Sequence, residues 1–251
     1  MSLIASHVDG AVKRVRLCRP DKRNALTAEM IADLTVAFTA EPTADERVAV
    51  LEAEGPSFCA GFDMRSRDAT PGGAQPLERL LQAIETYPLP VVAVVQGPAI
   101  TGGALLALHC DLVVADETAP FGMSSAQVGL APSWLFAKKI LEAAGPVLAR
   151  KLLLVGDPVS AVTLRDLGIV GYVAPAGELA ATAEGVIGRL AANAPLSMRA
   201  IKQTLVRAMS FRDGIAHEDI DGLLGVVRSS QDALEGTAAR LERRPPVFRG
   251  R

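Results

Sequence analysis

The sequence predicts an α/β fold in which an α/β core is followed by a mostly helical C-terminal section. Between about residue 12 and residue 130, short apolar strand patterns alternate with short helical patterns, as expected when helices cover a sheet. After residue 132 helical patterns dominate, with interruptions at glycine and proline. The chain has 251 residues, of which 49% are hydrophobic, so it can bury one sizeable core.

The N-terminal elements follow from short-range signals. The stretches LIASHV and AVKRVRLC are separated by Asp9 and Gly10, which predicts a hairpin of two strands. Thr27 stands where the N-cap of the first helix is expected. The stretch VAVLEAE is a buried-strand pattern, and the segment 66–76 is rich in proline, glycine and polar residues, which predicts a mobile loop.

The remaining elements continue the same pattern. A helix is predicted from Leu77 to Tyr87, followed by the apolar strand VVAVVQG, a glycine-rich helix and the short strand LVVAD. In the C-terminal section, IVGYV predicts one further short strand. The last helix, SQDALEGTAARLERR, ends at Pro245 and Pro246, because proline cannot continue a helix.

Composition excludes several classes of protein. The net charge is −2 and the charges are mixed, so we expect no nucleic-acid partner, which would need a clustered basic face. The three cysteines, Cys18, Cys59 and Cys110, are widely spaced and favour reduced thiols over a disulfide or zinc framework. The N-terminus lacks a signal-peptide pattern and no apolar run reaches membrane-spanning length, so we expect a cytoplasmic protein without a membrane partner.

The stretch GPAITGGALLALHCD, residues 97–111, places two adjacent glycines at the start of an apolar helix. Glycine allows another backbone or a ligand to approach closely. The N-terminus of a helix has unpaired N–H groups and a positive dipole end, which favour negative charge. Yet residues 102–108 include no acid, base or nucleophile. The pattern predicts a helix start that binds a ligand without itself reacting with it.

Several motifs occur together and in order. They are RPDKRNAL (19–26), SFCAGFDM (57–64), VVQGPAITGGALLALHCD (94–111) and the tail QDALEGTAARLERRPPVFRG (231–250). Together they resemble the enoyl-CoA hydratase/isomerase (crotonase) superfamily over nearly the whole chain. The resemblance implies a spiral core of repeated ββα turns, here residues 1–195, and a helical section, 196–251, that builds trimers or hexamers. It also implies an acyl-CoA or enoyl-CoA ligand, with coenzyme A entering as part of the substrate and no separate cofactor or metal.

The resemblance further implies an oxyanion hole, in which two backbone N–H groups stabilise negative charge on the thioester oxygen. Matching motif to motif assigns the two donors to Ala60 and Gly102. One such donor contributes about 2.7–4 kcal/mol in other enzymes. Gly102 stands at a helix start, where free N–H groups and the helix dipole favour negative charge.

Recognition of the nucleotide portion is also implied by the resemblance. It assigns backbone near the AGxD segment, a basic residue of RPDKRNAL for phosphate, and a basic residue and an aromatic ring from the tail of a neighbouring subunit. Asp63 is favoured as a structural acid of the turn. The residues that match are Ala60, Gly61, Phe62, Asp63, Met64, Lys22 or Arg23, Arg243 or Arg244, and Phe248.

The two glutamates that family hydratases use are absent. The position three residues after Gly102 is Leu105, and the position three residues after Gly122 is Ser125. Other members of the family place an acid after the VGL segment, where this chain has Ser133. Leucine cannot move a proton, and an unassisted serine hydroxyl is a poor base near neutral pH. The resemblance therefore implies thioester binding without the usual proton-transfer groups.

Other residues are candidate substitutes for these acids. Arg65 could pair with a substrate carboxylate, although a solvated arginine is favoured, and His109 is favoured as a buried core histidine. Trp134 could cap an acyl pocket, although core packing is favoured. The remaining candidates for contact with the ligand are Ser124, Ser125, Ser133, Asp68, Glu78 and Glu85.

Three functional interpretations stay open. The first is an enzyme that acts on a CoA thioester by slow hydration, isomerisation, decarboxylation or hydrolysis. The second is a non-catalytic acyl-CoA binding or carrier protein of fatty-acid metabolism, which the apolar Leu105 would suit. The third is an interaction subunit of a fatty-acid complex, in which the trimer surface matters more than the pocket.

Overall fold

The computed structural model describes residues 2–63 and 75–251. The predicted loop at 66–76 lies outside the described residues, apart from its last two positions, which open a helix. The chain forms two compact units. The first comprises Met1–Phe121 and Val159–Phe211, and the second comprises Gly122–Pro158 and Arg212–Arg251. The predicted boundary at residue 195 separates a core from an oligomerisation section, and it stays a prediction.

The first unit is built on a six-stranded sheet with strand order β1-β2-β3-β4-β6-β9. The predicted hairpin is confirmed, since β1 and β2 pair antiparallel, whereas the other neighbours are parallel. Parallel strands covered on both faces contain continuous apolar runs, as the buried run VAVL (48–51) and the run VVAVV (91–95) show. The strands are β1 (Ile4–Asp9), β2 (Val12–Leu17), β3 (Val48–Ala53), β4 (Val91–Val95), β6 (Leu112–Asp116) and β9 (Tyr172–Ala174).

Six α-helices among the described residues of the first unit, and a small second sheet, accompany this large sheet. The predicted N-cap is confirmed, because Thr27 Oγ1 accepts from Met30 N at 3.2 Å. The second sheet has the order β5-β7-β8. Its strands are β5 (Ala99–Ile100), β7 (Pro120–Gly122) and β8 (Val159–Ser160). The helices are α1 (Ala28–Thr39), α2 (Gln75–Thr86), α3 (Gly102–His109), α5 (Ala161–Asp166) and α6 (Leu179–Ala192), with α7 (Pro195–Met209) completing the unit.

The core of the first unit lies between the central strands and α6. Val48, Val50, Val92 and Val114 pack against α6 in one cluster of buried side chains. A second set of contacts is polar. The buried Lys202 Nζ of α7 donates to Asp111 Oδ2 at 2.6 Å and to Leu89 O at 3.0 Å. These contacts tie α7 to the segment that precedes β4 and to the segment between α3 and β6.

The second unit is helical, as the sequence predicted for the C-terminal section. It contains α4 (Trp134–Arg150), α8 (Glu218–Ser229) and α9 (Gln231–Glu242). The chain then folds back on the start of α9, because Asp232 accepts from the N–H groups of Arg249 and Gly250, each at 2.7 Å. The end of the chain is therefore held by an acid at a helix N-terminus, where negative charge is favoured.

Candidate active site at the start of the glycine helix

The start of α3 is held in an unusual backbone conformation. Thr101, the N-cap residue, has φ 50° and ψ −104°, a combination that β-branched residues rarely adopt. The first intrahelical bond runs from Leu105 N to Thr101 O at 2.9 Å. The amides of Gly102, Gly103 and Ala104 therefore precede the first helical hydrogen bond. Strained residues of this kind cluster at ligand-binding positions.

The AGFD turn, residues 60–63, is fixed beside this helix start by backbone hydrogen bonds on two sides. On one side, Ile100 N donates to Cys59 O at 2.9 Å. On the other side, Leu26 N donates to Gly61 O at 2.7 Å, and Asp63 N donates to Leu26 O at 2.9 Å. The turn thus connects the RPDKRNAL segment to the glycine helix, so three of the four predicted motifs lie together in the first unit.

Two glycines allow the turn and the helix to meet. Gly61 has φ 91°, and a Cβ there would lie 2.9 Å from Ile100 O and 3.5 Å from Gly102 N. A Cβ on Gly103 would lie only 2.2 Å from Cys59 O. Neither position accepts a side chain without displacing backbone, which explains why the sequence has glycine at both.

The structure corrects one assignment from the sequence. Ala60 was expected to donate its N–H to the thioester oxygen, but this amide donates to Arg23 O at 3.0 Å and is already occupied. The Gly61 backbone hydrogen-bonds the sulfur of Cys59. Within the turn, only the N–H of Phe62 has no acceptor among the described residues. The motif placed the turn correctly, but the available amide lies two residues further on.

The side chains that brace the turn are structural. Asp63 accepts from Arg19 Nη1 at 2.8 Å, which agrees with its favoured structural role. Asn24 is fully buried, and its Nδ2 donates to Glu54 O and Ser57 O, both at 2.9 Å. Sequence reasoning missed Arg19 and Asn24 as supports. The left-handed backbone of Asn24, with φ 53°, is tolerated best by asparagine among non-glycine residues.

Burial removes Cys59 as a nucleophile. The side chain is fully buried, and desolvation raises the pKa of the Cys59 thiol to about 12. At neutral pH the thiol therefore stays protonated and acts as a small apolar group beneath the glycines. We assign no reaction step to it.

The residues predicted to contact the nucleotide differ in whether they are exposed and available or already engaged in ion pairs. Lys22 is exposed at the end of a short 3-10 helix, and Arg23 follows it at the surface with φ 52°. Arg244 is engaged elsewhere, because it pairs with Glu235 at 2.5 Å and with Glu242 at 2.6 Å. Arg243 forms no ion pair with the described residues, and Phe248 is 42% exposed. Of the two tail arginines, Arg243 is the available one.

The positions of the missing acids are divided between the two units. Leu105 lies in the first unit and is fully buried. Ser125, which is 8% exposed, lies in the second unit with Ser133 and Trp134. Met64, Arg65 and Asp68 lie outside the described residues. Neither described position offers a group that titrates near neutral pH.

The other proposed substitutes do not form a catalytic grouping. The interpretation of His109 as a core histidine is confirmed, because it is 2% exposed and its Nδ1 lies 2.8 Å from Leu105 O. Glu78 and Glu85 lie on α2 and are half-buried. Ser124 has a partner within the structure.

Two classes of feature are absent from the described residues. None of the helices in that part of the chain is long and apolar enough to cross a membrane. The same residues contain no group of three histidine, cysteine, aspartate or glutamate side chains that could hold a metal ion.

Comparison with known proteins identifies the family. The model of the enoyl-CoA hydratase/isomerase family matches residues 7–251. The chain therefore belongs to the enoyl-CoA hydratase/isomerase family.

Two relatives match along almost their whole lengths. A putative enoyl-CoA hydratase of Thermus thermophilus is 37% identical, covering 95% of this chain and 98% of the relative. The (E)-benzylidenesuccinyl-CoA hydratase of Thauera aromatica is 34% identical, covering 98% of this chain and 99% of the relative. The similarity thus extends over both compact units.

Solved structures give the same result for the fold. An enoyl-CoA hydratase from Mycobacterium avium subsp. paratuberculosis superposes with a TM-score of 0.88 at 30% identity, with 99% of each chain covered. Methylmalonyl-CoA decarboxylase complexed with 2S-carboxypropyl-CoA superposes with a TM-score of 0.92 at 25% identity, with 100% of this chain and 99% of that chain covered. The predicted crotonase-like α/β fold is confirmed.

Proposed function

We propose that this chain binds an acyl-CoA thioester whose carbonyl oxygen accepts hydrogen bonds from the N–H groups of Phe62 and Gly102. The observation that carries the proposal is the close approach of Gly61 to the start of α3, which brings into one region two amides that have no acceptor among the described residues. The dipole of α3 adds to their preference for negative charge. A solved relative of the same fold holds an acyl-CoA analogue, which supports the ligand class.

We further propose that ordinary hydration is not the reaction of this site. Hydration requires activation of water and delivery of a proton to carbon, and both need a group that titrates near the working pH. Leu105 is fully buried and apolar, and Ser125 is a nearly buried hydroxyl. The site polarises a thioester, so a reaction that needs only this polarisation, such as decarboxylation, stays compatible with it.

The alternative function is an acyl-CoA binding or carrier protein. A specific observation favours it, because the leucine at the position of the first missing acid is completely removed from solvent. An apolar wall suits a saturated acyl chain better than a polarised enoyl group.

We also propose that the working form is a homotrimer or a dimer of trimers, since Leu196, Leu205, Leu223 and Val226 are exposed apolar side chains.

A panel of ligands separates the enzyme from the carrier. Purified protein is incubated with 2-enoyl-, 3-enoyl-, malonyl-type and saturated acyl-CoAs, and the products are followed by chromatography with mass detection. A gain of water would overturn the argument against hydration. Loss of carbon dioxide, release of CoA or a shifted double bond would identify the reaction, and unchanged ligands that copurify with the protein would establish the carrier.

The oxyanion assignment is tested by Gly102→Pro, with Gly102→Ala as the matched control. Proline removes the N–H and is tolerated at the first position of a helix, whereas alanine keeps the N–H. The alanine Cβ would lie 3.3 Å from Leu26 Cδ1, a contact that a small shift relieves. We expect turnover, or the affinity for saturated acyl-CoA in a carrier, to fall roughly 100-fold in the proline variant and by less than about threefold in the alanine variant.

Melting curves of both variants check that they are folded. Equal affinity and rate in a folded Gly102→Pro variant and in the wild type would contradict the oxyanion assignment. The same experiment would leave the family and the fold unaffected, because these follow from the whole chain.

A further inference from the structure

The side-chain amide of Gln96, directly after β4, makes contacts that the proposed function does not use. Its Nε2 donates to three backbone carbonyls of the segment 53–57, at the end of β3. The distances are 2.9 Å to Ala53 O, 3.0 Å to Gly55 O and 3.1 Å to Ser57 O. An amide nitrogen has two hydrogens, so the three carbonyls share them and must all lie within its reach. The carboxamide therefore defines where this segment lies relative to the end of β4.

Two segments of the first unit run side by side from these contacts to the proposed oxyanion hole. One leads from β3 to Phe62, and the other leads from β4 to Gly102. Cys59 joins them twice, because its N–H donates to Pro98 O at 3.1 Å and its carbonyl accepts from Ile100 N at 2.9 Å. The segments thus form a short parallel bridge. The carboxamide contacts lie before this bridge, and the two amides follow it.

The register of this bridge decides where the two amides lie. A shift of one residue along an extended segment moves every later group by about 3.3 Å, which exceeds the roughly 3 Å length of a hydrogen bond. Backbone hydrogen bonds are alike in every register, so they do not select one. A side chain that must meet three particular carbonyls does select one. Gly97 adds a steric selection, because a Cβ at this position would overlap Pro56 O.

A second side-chain amide separates the folding of the segment 53–57 from its alignment. Asn24 Nδ2 donates to Glu54 O and to Ser57 O, both at 2.9 Å. Asn24 belongs to the RPDKRNAL segment, so it holds 53–57 in shape without tying it to the residues that lead to α3. Loss of the Gln96 donor should therefore leave the segment folded and loosen only its alignment with the glycine helix.

We infer that Gln96 is a positioning residue for the proposed oxyanion hole, because its contacts set the register of the two segments that carry the amides of Phe62 and Gly102. This inference rests on the proposed acyl-CoA function. Gln96 acts through the backbone and is assigned no contact with the ligand. With the register fixed, both amides are in place before the thioester oxygen arrives, so binding needs little reorganisation. Without it, the Phe62 amide is the one displaced, since Gly102 is held by α3.

The test measures how strongly the bound thioester carbonyl is polarised. Butyryl-CoA with an isotope label at the thioester carbon is bound to the protein, and its carbonyl stretching band is recorded by infrared difference spectroscopy. Hydrogen bonds to the oxygen weaken the C=O bond and lower the frequency of this band. In the wild type we expect the band of bound butyryl-CoA to lie below that of the free ligand. The measurement suits an enzyme and a carrier alike, because it needs no turnover.

Two variants change the contacts of Gln96 by different amounts. Gln96→Met keeps the length of the side chain and removes the donor, whereas Gln96→Asn keeps the amide and shortens its reach by one methylene. With one of two donors displaced, Gln96→Met should lose roughly half of the downward shift, and Gln96→Asn should lose a smaller part. Gly102→Pro gives the reference band for the loss of one donor. Gln82→Met, at an exposed glutamine of α2 in the same unit, is the matched control and should keep the whole shift.

The outcomes separate the two proposals. If the wild type binds no butyryl-CoA, or if its bound band lies at the frequency of the free ligand, the proposed oxyanion hole fails and the role of Gln96 fails with it. If the wild type shows the downward shift and a folded Gln96→Met or Gln96→Asn variant keeps all of it, only the positioning role is overturned. A variant that melts earlier but keeps the whole shift would show that Gln96 serves stability alone.

Discussion

At the scale of single residues, the site depends on which backbone amides are occupied. Ala60 and Phe62 are two residues apart in one turn, yet the Ala60 amide donates to Arg23 O at 3.0 Å and the Phe62 amide has no acceptor among the described residues. The side chain of Leu105, one helical turn after Gly102, is fully buried. A hydrocarbon at this position keeps the helix start dry, which strengthens any hydrogen bond made there.

Placing an acid at position 105 should show that the surroundings of this side chain are of low polarity. In Leu105→Glu, burial raises the pKa of the new carboxyl above its unfolded value of about 4.3. The carboxyl is then neutral in both states at low pH, and the cost of burying its charge appears as the pH rises. We expect the variant to lose about 1–3 kcal/mol more stability at pH 8 than at pH 5.

Leu105→Gln is the control, because it has the same shape and cannot titrate. Its destabilisation relative to the wild type should be the same at both pH values. Urea unfolding at pH 5 and pH 8 measures both variants. A Leu105→Glu variant whose stability loss does not depend on pH would show that position 105 is not desolvated.

At the scale of elements, the placement of α3 depends on the absence of side chains between it and the AGFD turn. Gly103 lies where a Cβ would be 2.2 Å from Cys59 O, and this carbonyl accepts from Ile100 N at 2.9 Å. Because that oxygen belongs to a backbone bridge, it cannot move aside cheaply. The distance between the start of α3 and the AGFD turn is therefore fixed by this contact between their backbones.

The change Gly103→Ala should be destabilising although alanine favours helix. We expect a loss of about 1–3 kcal/mol in the free energy of unfolding, because the new methyl group overpacks the bridge. Gly185→Ala is the control, since a Cβ at this exposed position of α6 meets nothing within 4 Å. That variant should gain about 0.5–1 kcal/mol from helix propensity.

Chemical denaturation of the two alanine variants measures both effects on one scale. A gain of stability in both variants would show that helix propensity, and not the contact with Cys59 O, decides the effect of alanine at Gly103. Opposite signs would support the close approach of the two backbones.

At the scale of the whole molecule, the segment 244–250 at the end of the chain binds α9, the last helix of the same chain. Glu235 of α9 accepts from Arg244 and from Val247 N, and Asp232 accepts from the backbone of residues 249 and 250. Arg244 is therefore engaged within its own chain. This leaves Arg243 and Phe248 as the tail residues that could meet a nucleotide in a neighbouring subunit, as we propose from the family resemblance.

The tail contact should persist into strongly acidic solution. The hydrogen bonds from Arg244 and Val247 lower the pKa of Glu235 to about 2. Because the folded pKa lies below the ordinary value, this stabilisation is complete above about pH 4.5 and is lost as the pH falls towards 2. We expect the Glu235 carboxyl to titrate near pH 2 by carbon-detected NMR.

Arg244→Ala removes the main cause of this shift, so the Glu235 pKa should return towards its ordinary range. Arg240→Ala is the control, because Arg240 is exposed on the same helix and forms no ion pair among the described residues. A titration near pH 4 in the wild type would indicate that the tail is not docked in solution.

The sequence by itself determined the features that depend on local pattern and on the order of motifs. Alternating apolar runs predicted the hairpin and the buried strands, because side chains in a sheet must match its faces. Thr27 predicted a helix start, because a short hydroxyl side chain satisfies a free amide. Three ordered motifs and the tail predicted the crotonase-like fold, which the matches to relatives along almost the whole chain confirm.

The tertiary structure decided which hydrogen-bonding and charged groups already have a partner within the chain and which are available to a ligand. The Ala60 amide donates to the carbonyl of Arg23, which lies 37 positions earlier in the chain, and no local pattern encodes that bond. In the same way, only folding shows that Arg244 is paired with Glu235, and that the Ser133 hydroxyl and the Trp134 indole N–H have no hydrogen-bond partner among the described residues. A hydrogen bond depends on distances of about 3 Å between groups remote in sequence, and those distances exist only once the chain has packed.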